Sequence, residues 1–282
     1  MKIKSASVAF LLLFSSLLCA AEPSQQTEDS KDDFSWQFML GMSAVSDPTI
    51  LTGVEQNDVD DYLALSLILD VYYKGFFIQA NHRRAGGLHF GSELGYQLEN
   101  NDKWALDIIA KTYIPGYSPK ELIEDQPTPI PVMEGLDNRS IGNGLALRYS
   151  HFNENALLTV DLATLQATSA ADGWLIETFY SHLIPYKNWD IYLGAGLTYY
   201  SKEVTDYYTG IDKDEVSPIR PAYKAGDSLL AQVEVYTQYP LSKHWTFNAG
   251  ITQNMYSANI TASPLVEHQN LTEILVGLIY VF

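Results

Sequence analysis

Apolar and polar residues alternate at every second position along most of this chain. The pattern is clearest at its end, where Ile274, Val276, Leu278, Tyr280 and Phe282 share one side. Successive side chains of a strand point to opposite faces, so this period of two predicts β-structure with one apolar face. Near the start, Trp36, Phe38, Leu40, Met42 and Ala44 oppose Ser35, Gln37, Met39, Gly41 and Ser43. Leu63, Leu65, Leu67, Leu69, Val71 and Tyr73 form a second apolar row, and Phe76, Ile78 and Ala80 a weaker third. A fourth sets Leu88, Phe90, Ser92, Leu94, Tyr96 and Leu98 against His89, Gly91, Glu93, Gly95 and Gln97. Further rows begin at Trp104, Ile141, Ala156, Trp174, Trp189, Leu229 and Trp245, and the stretch 270–282 closes the series at about twelve strands.

The connections carry more information than any one strand. Links after strands two, four, six, eight and ten are short, as at Lys74-Gly75 and Leu241-Ser242. Links after strands one, five, nine and eleven are long, spanning 46–60, 115–139, 204–225 and 258–269. Those after three and seven, 84–87 and 167–172, are shorter but rich in Gly, Ala and Ser. A soluble sandwich has no reason to sort its loops this way. A single-chain outer-membrane barrel does, with short periplasmic turns and long outer loops. The expected fold is therefore all-β: a closed antiparallel up-and-down transmembrane β-barrel over residues 34–282. An even strand count closes the sheet and removes its edges. Trp36, Trp104, Trp174, Trp189 and Trp245 fall near strand starts, and Tyr73, Tyr149, Tyr199 and Tyr280 near strand ends. Rings so placed predict aromatic girdles at both membrane interfaces.

The first residues alter the expected location. Lys2 and Lys4 precede an apolar run from Val8 to Leu18, followed by Cys19, Ala20 and Ala21. Residues 1–21 read as a secretory signal cleaved after Ala20 or Ala21, since the run is shorter than the roughly 20 residues a membrane helix needs. Residues 22–33 lack apolar periodicity and read as a disordered periplasmic leader. The one cysteine lies within the signal, so a mature chain would hold no disulfide and no cysteine-based metal site or nucleophile. The whole chain carries 17 basic and 34 acidic residues; without Lys2 and Lys4 the balance is 15 against 34, or −19. That charge argues against nucleic acid as a partner.

Two resemblances sharpen the expectation. Gly277, Tyr280 and Phe282 are spaced as G-x-x-Y-x-F, which resembles the insertion signal of bacterial outer-membrane barrels, although Leu275 stands where that signal usually has a polar residue. Four further stretches resemble, in order, the MltA-interacting protein (MipA/OmpV) family. They are Tyr207-Tyr208-Thr209-Gly210-Ile211; Ser217-Pro218 with Pro221-Ala222-Tyr223-Lys224-Ala225-Gly226; His244-Trp245-Thr246-Phe247; and Ser263-Pro264-Leu265-Val266. Thr209 is an extra residue, and the usual Gly after Ser217 is missing. The resemblance implies a barrel in the outer membrane of a Gram-negative bacterium, among lipid and lipopolysaccharide. It also implies a scaffold joining a lytic transglycosylase to a penicillin-binding protein, or a role in envelope adaptation.

Candidate chemistry is sparse. The histidines His82, His89, His151, His182, His244 and His268 are scattered, and no metalloprotease, nucleophile-elbow or phosphate-loop motif is present. No cofactor, metal or catalytic residue is expected. An outer-leaflet lipid hydrolase would have to pair His89 or His268 with Ser92 or Ser263. Inner-face charges Asp70, Arg83, Glu93, Asp107, Lys111, Arg148, Glu177, Asp190, Glu234 and Glu273 leave two readings open. They either line a cation-leaning channel or fill the lumen with ion pairs. The stretch 115–139, stiffened by Pro115, Pro119, Pro127, Pro129 and Pro131, is long enough to fold inward.

Overall fold

The computed structural model describes residues 34–46, 48–56, 62–80, 92–166 and 172–282. The expected signal and leader, His82, Arg83, His89 and the link 84–87 lie outside them, as does 167–171 of the link 167–172. Twelve strands follow one another: β1 (Ser35–Ser46), β2 (Leu63–Tyr73), β3 (Phe76–Ala80), β4 (Ser92–Asn100), β5 (Trp104–Ile114), β6 (Gly142–Asn153), β7 (Ala156–Gln166), β8 (Asp172–Tyr186), β9 (Trp189–Tyr200), β10 (Ser228–Pro240), β11 (Trp245–Tyr256) and β12 (Asn270–Val281). Each pairs antiparallel with its sequence neighbours, and β12 returns to β1, so the sheet closes into a barrel. Among the described residues no helix is long and apolar enough to cross a membrane; the crossing elements are the strands.

The dyad pattern orients every strand. On β2, Leu63, Leu65 and Leu67 are exposed while Ala64, Ser66, Ile68 and Asp70 are buried. Leu94, Leu145, Leu162, Leu197, Val233, Ile251 and Ile274 continue the exposed apolar surface round the barrel. A belt of this extent is far larger than the apolar patch of a water-soluble monomer, and hydrocarbon is the solvent it fits.

The seam between β1 and β12 runs from Met39↔Val281 to Ser46↔Ile274. Gly277 faces inward opposite Ser43, and a Cβ there would strike the Ser43 side chain and meet the Met42 carbonyl at 2.7 Å. Tyr280 and Phe282 face outward; their rings lie 4.9 Å apart, and Phe282 also stacks 4.9 Å from Phe38 of β1. Leu275 points into the lumen, where it packs with Met39, Ile68 and Ile279. That explains an apolar residue at this site: the lumen is apolar there.

The tight turns match the sequence reading. Lys74 and Gly75 both take positive φ (50° and 85°), the geometry a two-residue hairpin demands. The aromatic girdle is less even than the sequence suggests. Trp36, Trp104, Trp189 and Trp245 sit beside the short-turn end, with Tyr73, Tyr149 and Tyr280. Of the tryptophans, Trp174 alone stands at the long-loop end, with its ring 5.1 Å from that of Tyr199.

Candidate functional site

Two features distinguish this barrel from an open tube: a network of buried charges across its middle and a folded cap over its long-loop end. The network starts from alternation. On β6 the small residues Gly144 and Ala146 and the charged Arg148 share the inner face, and on β7 Thr159, Asp161 and Ala163 do the same. Register places Arg148 opposite Asp161. Arg148 Nε donates to Asp161 Oδ1 (2.6 Å) and Nη2 to Oδ2 (2.8 Å), while Nη1 reaches Glu93 Oε1 (2.5 Å). Lys111 Nζ lies 3.0 Å from Asp161 and 2.6 Å from Glu177, and over the Tyr113 ring. The Tyr113 hydroxyl completes the set by donating to Asp161 (3.0 Å). Isolated charges in such an interior would cost several kcal/mol each, so the fit of partners is what lets them stay there. Asp161 is the centre of the network, and it is absent from the inner-face charges recognised in the sequence. Its period-two placement between Thr159 and Ala163 was the available signal.

The lumen is filled around this network. Each strand contributes at least one inward residue with 6% or less of its surface exposed: Met39, Ile68, Phe77, Glu93, Ile109, Arg148, Asp161, Leu175, Thr198, Tyr236, Asn248 and Leu275. The wall of an open aqueous pore would be wetted on its inner side. Here the inner side is packed.

Four long loops build the cap. Residues 115–141 carry α1 (Pro119–Asp125), capped at its start by Ser118, and a 3₁₀ turn at Pro131–Met133. The β9–β10 loop opens with α2 (Lys202–Thr209), and the β11–β12 loop with α3 (Ala258–Thr261). Leu51, Ile130, Met133, Leu136, Ile211 and Leu265, drawn from four loops, form one buried apolar cluster. The proline-rich stretch thus lies over the barrel mouth.

Polar contacts lock the cap. Arg139 donates to both Glu215 oxygens, Nη1 to Oε1 at 2.8 Å and Nη2 to Oε2 at 2.9 Å. Backbone N–H groups of Asp137 and Asp212 donate to the same carboxylate, each at 3.1 Å. Burial works against the charge on Glu215, but the Arg139 hydrogen bonds and these backbone donors outweigh it and hold the carboxyl below the ordinary glutamate range. Arg220 is fully enclosed. Its guanidinium donates to the carbonyls of Val132 (2.6 Å), Glu134 (3.0 Å) and Glu215 (2.8 Å), tying the loop of 115–141 to that of 201–227. The Tyr117 hydroxyl donates to the Tyr208 carbonyl (2.8 Å); burial raises its pKa to about 12, so it stays protonated.

Three of the four stretches singled out by family resemblance fall in two loops, and the fold brings most of their residues into this cap; the fourth, His244-Trp245-Thr246-Phe247, lies at the opposite end, on the short β10–β11 turn and the start of β11. Tyr207 and Tyr208 lie on α2, where an irregular loop was expected. The Tyr208 hydroxyl donates to the Ser140 carbonyl (2.9 Å), and the Tyr207 hydroxyl accepts from the Ser140 N–H (2.8 Å). Gly210 ends the helix where a Cβ would strike the Asp206 carbonyl. Ser217 brackets a turn with Arg220, while Pro221 and Ala222 are exposed. Tyr223 pairs with Ile211, and its hydroxyl reaches the Asn259 carbonyl (2.7 Å). Gly226 takes a φ of +71° that a glycine adopts without strain. Ser263 is buried, with its hydroxyl donating to the Thr209 carbonyl (2.5 Å), and the Pro264 carbonyl accepts from the Thr52 hydroxyl (3.3 Å). Ser263 is thus committed to the cap, while His268 is exposed. Among the described residues no cluster of three His, Asp or Glu side chains is placed to hold a metal ion.

Comparison with known proteins identifies the family. Residues 40–282 match the family model described as MltA-interacting protein MipA. Omp26La, an outer membrane protein of Vibrio anguillarum, is 29% identical over 98 residues, 35% of this chain; the matched stretch spans 38% of that relative's length. The 24 kDa outer membrane protein of Pasteurella multocida is 25% identical over 228 residues, 77% of this chain and 80% of that protein. Among solved structures, the outer membrane channel DcaP of Acinetobacter baumannii aligns over 91% of this chain and 99% of its own, with 8% identity and a TM-score of 0.40. The relatives are named as outer membrane proteins, and the closed barrel is the form that membrane accepts. The chain is an outer-membrane β-barrel of Gram-negative type and belongs to the MltA-interacting protein MipA family.

Proposed function

We propose that this barrel is a non-enzymatic scaffold of the outer membrane, held among lipid and lipopolysaccharide. Its short periplasmic turns would position murein enzymes, a lytic transglycosylase and a penicillin-binding protein, beneath the membrane; a role in envelope adaptation follows from the same placement. The observation that carries this reading is the packed lumen in a member of a family described by its interaction with MltA, a lytic transglycosylase. A barrel whose interior is filled by its own side chains offers its surfaces to partners rather than a path to solutes. The cap supports the same reading, since its buried hydroxyls and arginines are spent on holding loops together.

A cation-leaning channel is the second reading. It draws support from five lumen carboxylates, Asp70, Glu93, Asp107, Asp161 and Glu177, grouped near Lys111 and Arg148. The burial of the wall counts against it. Cross-linking in intact cells followed by affinity capture tests the scaffold: recovery of a murein hydrolase or synthase is expected, and recovery of neither would overturn it.

A further inference from the structure

Four of the five short turns carry a lysine: Lys74, Lys103, Lys187 and Lys243. The remaining turn, between β6 and β7, carries Glu154 instead. All four lysines are exposed. Each lies within two residues of a girdle aromatic: Tyr73 before Lys74, Trp104 after Lys103, Tyr186 before Lys187 and Trp245 after Lys243. The ammonium of Lys74 sits 5.5 Å from the Tyr73 ring centre, and that of Lys187 sits 5.2 Å from the Tyr186 ring centre. Both lysines take a positive φ, 50° and 56°, at turn positions that Gly or Asn fits with less strain. The long-loop end also exposes four lysines, Lys120, Lys202, Lys213 and Lys224, but there they are outnumbered by exposed Glu121, Glu124, Asp125, Asp212, Asp214 and Glu267.

We infer that this end of the barrel is a binding rim for anionic phospholipid headgroups of the inner leaflet. Tyr and Trp rings of a girdle settle at headgroup depth, so lysines laid against them hold their charges among the phosphates rather than out in the periplasm. That depth selects a lipid headgroup over the acidic surface of a soluble protein. Glu99, Asp102 and Glu154 share the rim, so the attraction belongs to the four lysine positions and not to a uniform field. A rim of this kind would draw phosphatidylglycerol from a mainly zwitterionic leaflet and fix the height of the barrel in it.

Quenching of tryptophan fluorescence by brominated lipids tests this directly. The folded Trp174→Phe protein is reconstituted into bilayers containing brominated phosphatidylglycerol or brominated phosphatidylethanolamine at equal mole fraction. Its remaining emitters, Trp36, Trp104, Trp189 and Trp245, all lie at the lysine rim. The expected result is about fivefold tighter binding of phosphatidylglycerol, the effect of one well-placed lysine. Replacing Lys74, Lys103, Lys187 and Lys243 by Gln should abolish the preference. Raising salt to about 0.5 M should weaken it in the unaltered rim, so the salt series decides if the fourfold variant does not fold. Equal binding of the two lipids, or a preference untouched by both the substitutions and salt, would overturn the inference.

Discussion

Arg139 and Glu215, separated by 76 residues, face each other through two parallel hydrogen bonds of 2.8 and 2.9 Å inside the cap. Both side chains are almost wholly buried. Removing one partner strands the other without water or a counter-ion, which typically costs about 3–5 kcal/mol, whereas removing both is milder. Arg139→Ala and Glu215→Ala should each open the loops to limited proteolysis within residues 115–141 and 201–227 while the barrel stays folded. The double replacement should be cut more slowly than Arg139→Ala alone.

The same pair predicts a response to acid. The folded-state carboxyl of Glu215 is held below its ordinary range, so it binds its proton less readily than in an opened loop. Its stabilising contribution is fully present above the ordinary glutamate pKa and is lost as pH falls through the lowered value. Cap protection should therefore be flat from pH 7 down to about 5 and weaken below about 4. Proteolysis by an acid-tolerant protease across that range is the check. Glu215→Gln should remove the dependence on pH in this window.

Within the membrane, Arg148 plays the corresponding part. Its guanidinium answers Asp161 and Glu93 at once, and all three are nearly inaccessible. Arg148→Met takes from Glu93 the guanidinium it pairs with and leaves Asp161 with Lys111 and Tyr113, a loss of about 3–5 kcal/mol by the same reasoning. A lower urea midpoint and less heat-modifiable folded protein are expected on gels. Asp161→Asn in the Arg148→Met background should recover part of the loss, because it removes one buried negative charge.

Much of this fold could be read from the chain because a barrel in lipid has two different surroundings, one per strand face. Leu65 and Ser66, or Val233 and Glu234, declare their sides without knowledge of any partner. The turn sorting worked for a similar reason, since hairpin turns and long loops differ in local composition. The cap was not legible. Nothing near Arg139 points to Glu215, and Arg220 binds carbonyls that carry no side-chain signature. Helix α2 was missed because its apolar face is short: Val204 and Tyr208 are one turn apart, within a run that also fits a loop. The apolar side of the lumen was missed in part because period two marks a face but not which face is drier. Met39, Ile68, Leu275 and Ile279 stand on the supposedly polar side.

Gly277 offers a test of the closing seam and of the proposed role of the last strand in assembly. A methyl group there must displace the Ser43 side chain or the Met42 backbone on β1. Gly277→Ala should lower the folded fraction reaching the outer membrane, and Ser43→Gly should restore part of it by clearing the nearest obstacle. Phe282→Ala should act more weakly, through loss of ring contacts with Phe38 and Tyr280 rather than through a clash. Heat-modifiable mobility of membrane fractions reads all three.

Planar-bilayer recording bears most directly on the packed lumen. Purified folded protein, inserted at single-molecule density in neutral salt solution, should give no stepwise conductance, since residues from all twelve strands and a four-loop cap occupy the path. Steady unitary currents from barrels with Arg148 and Arg139 intact would contradict it and would make this protein a channel.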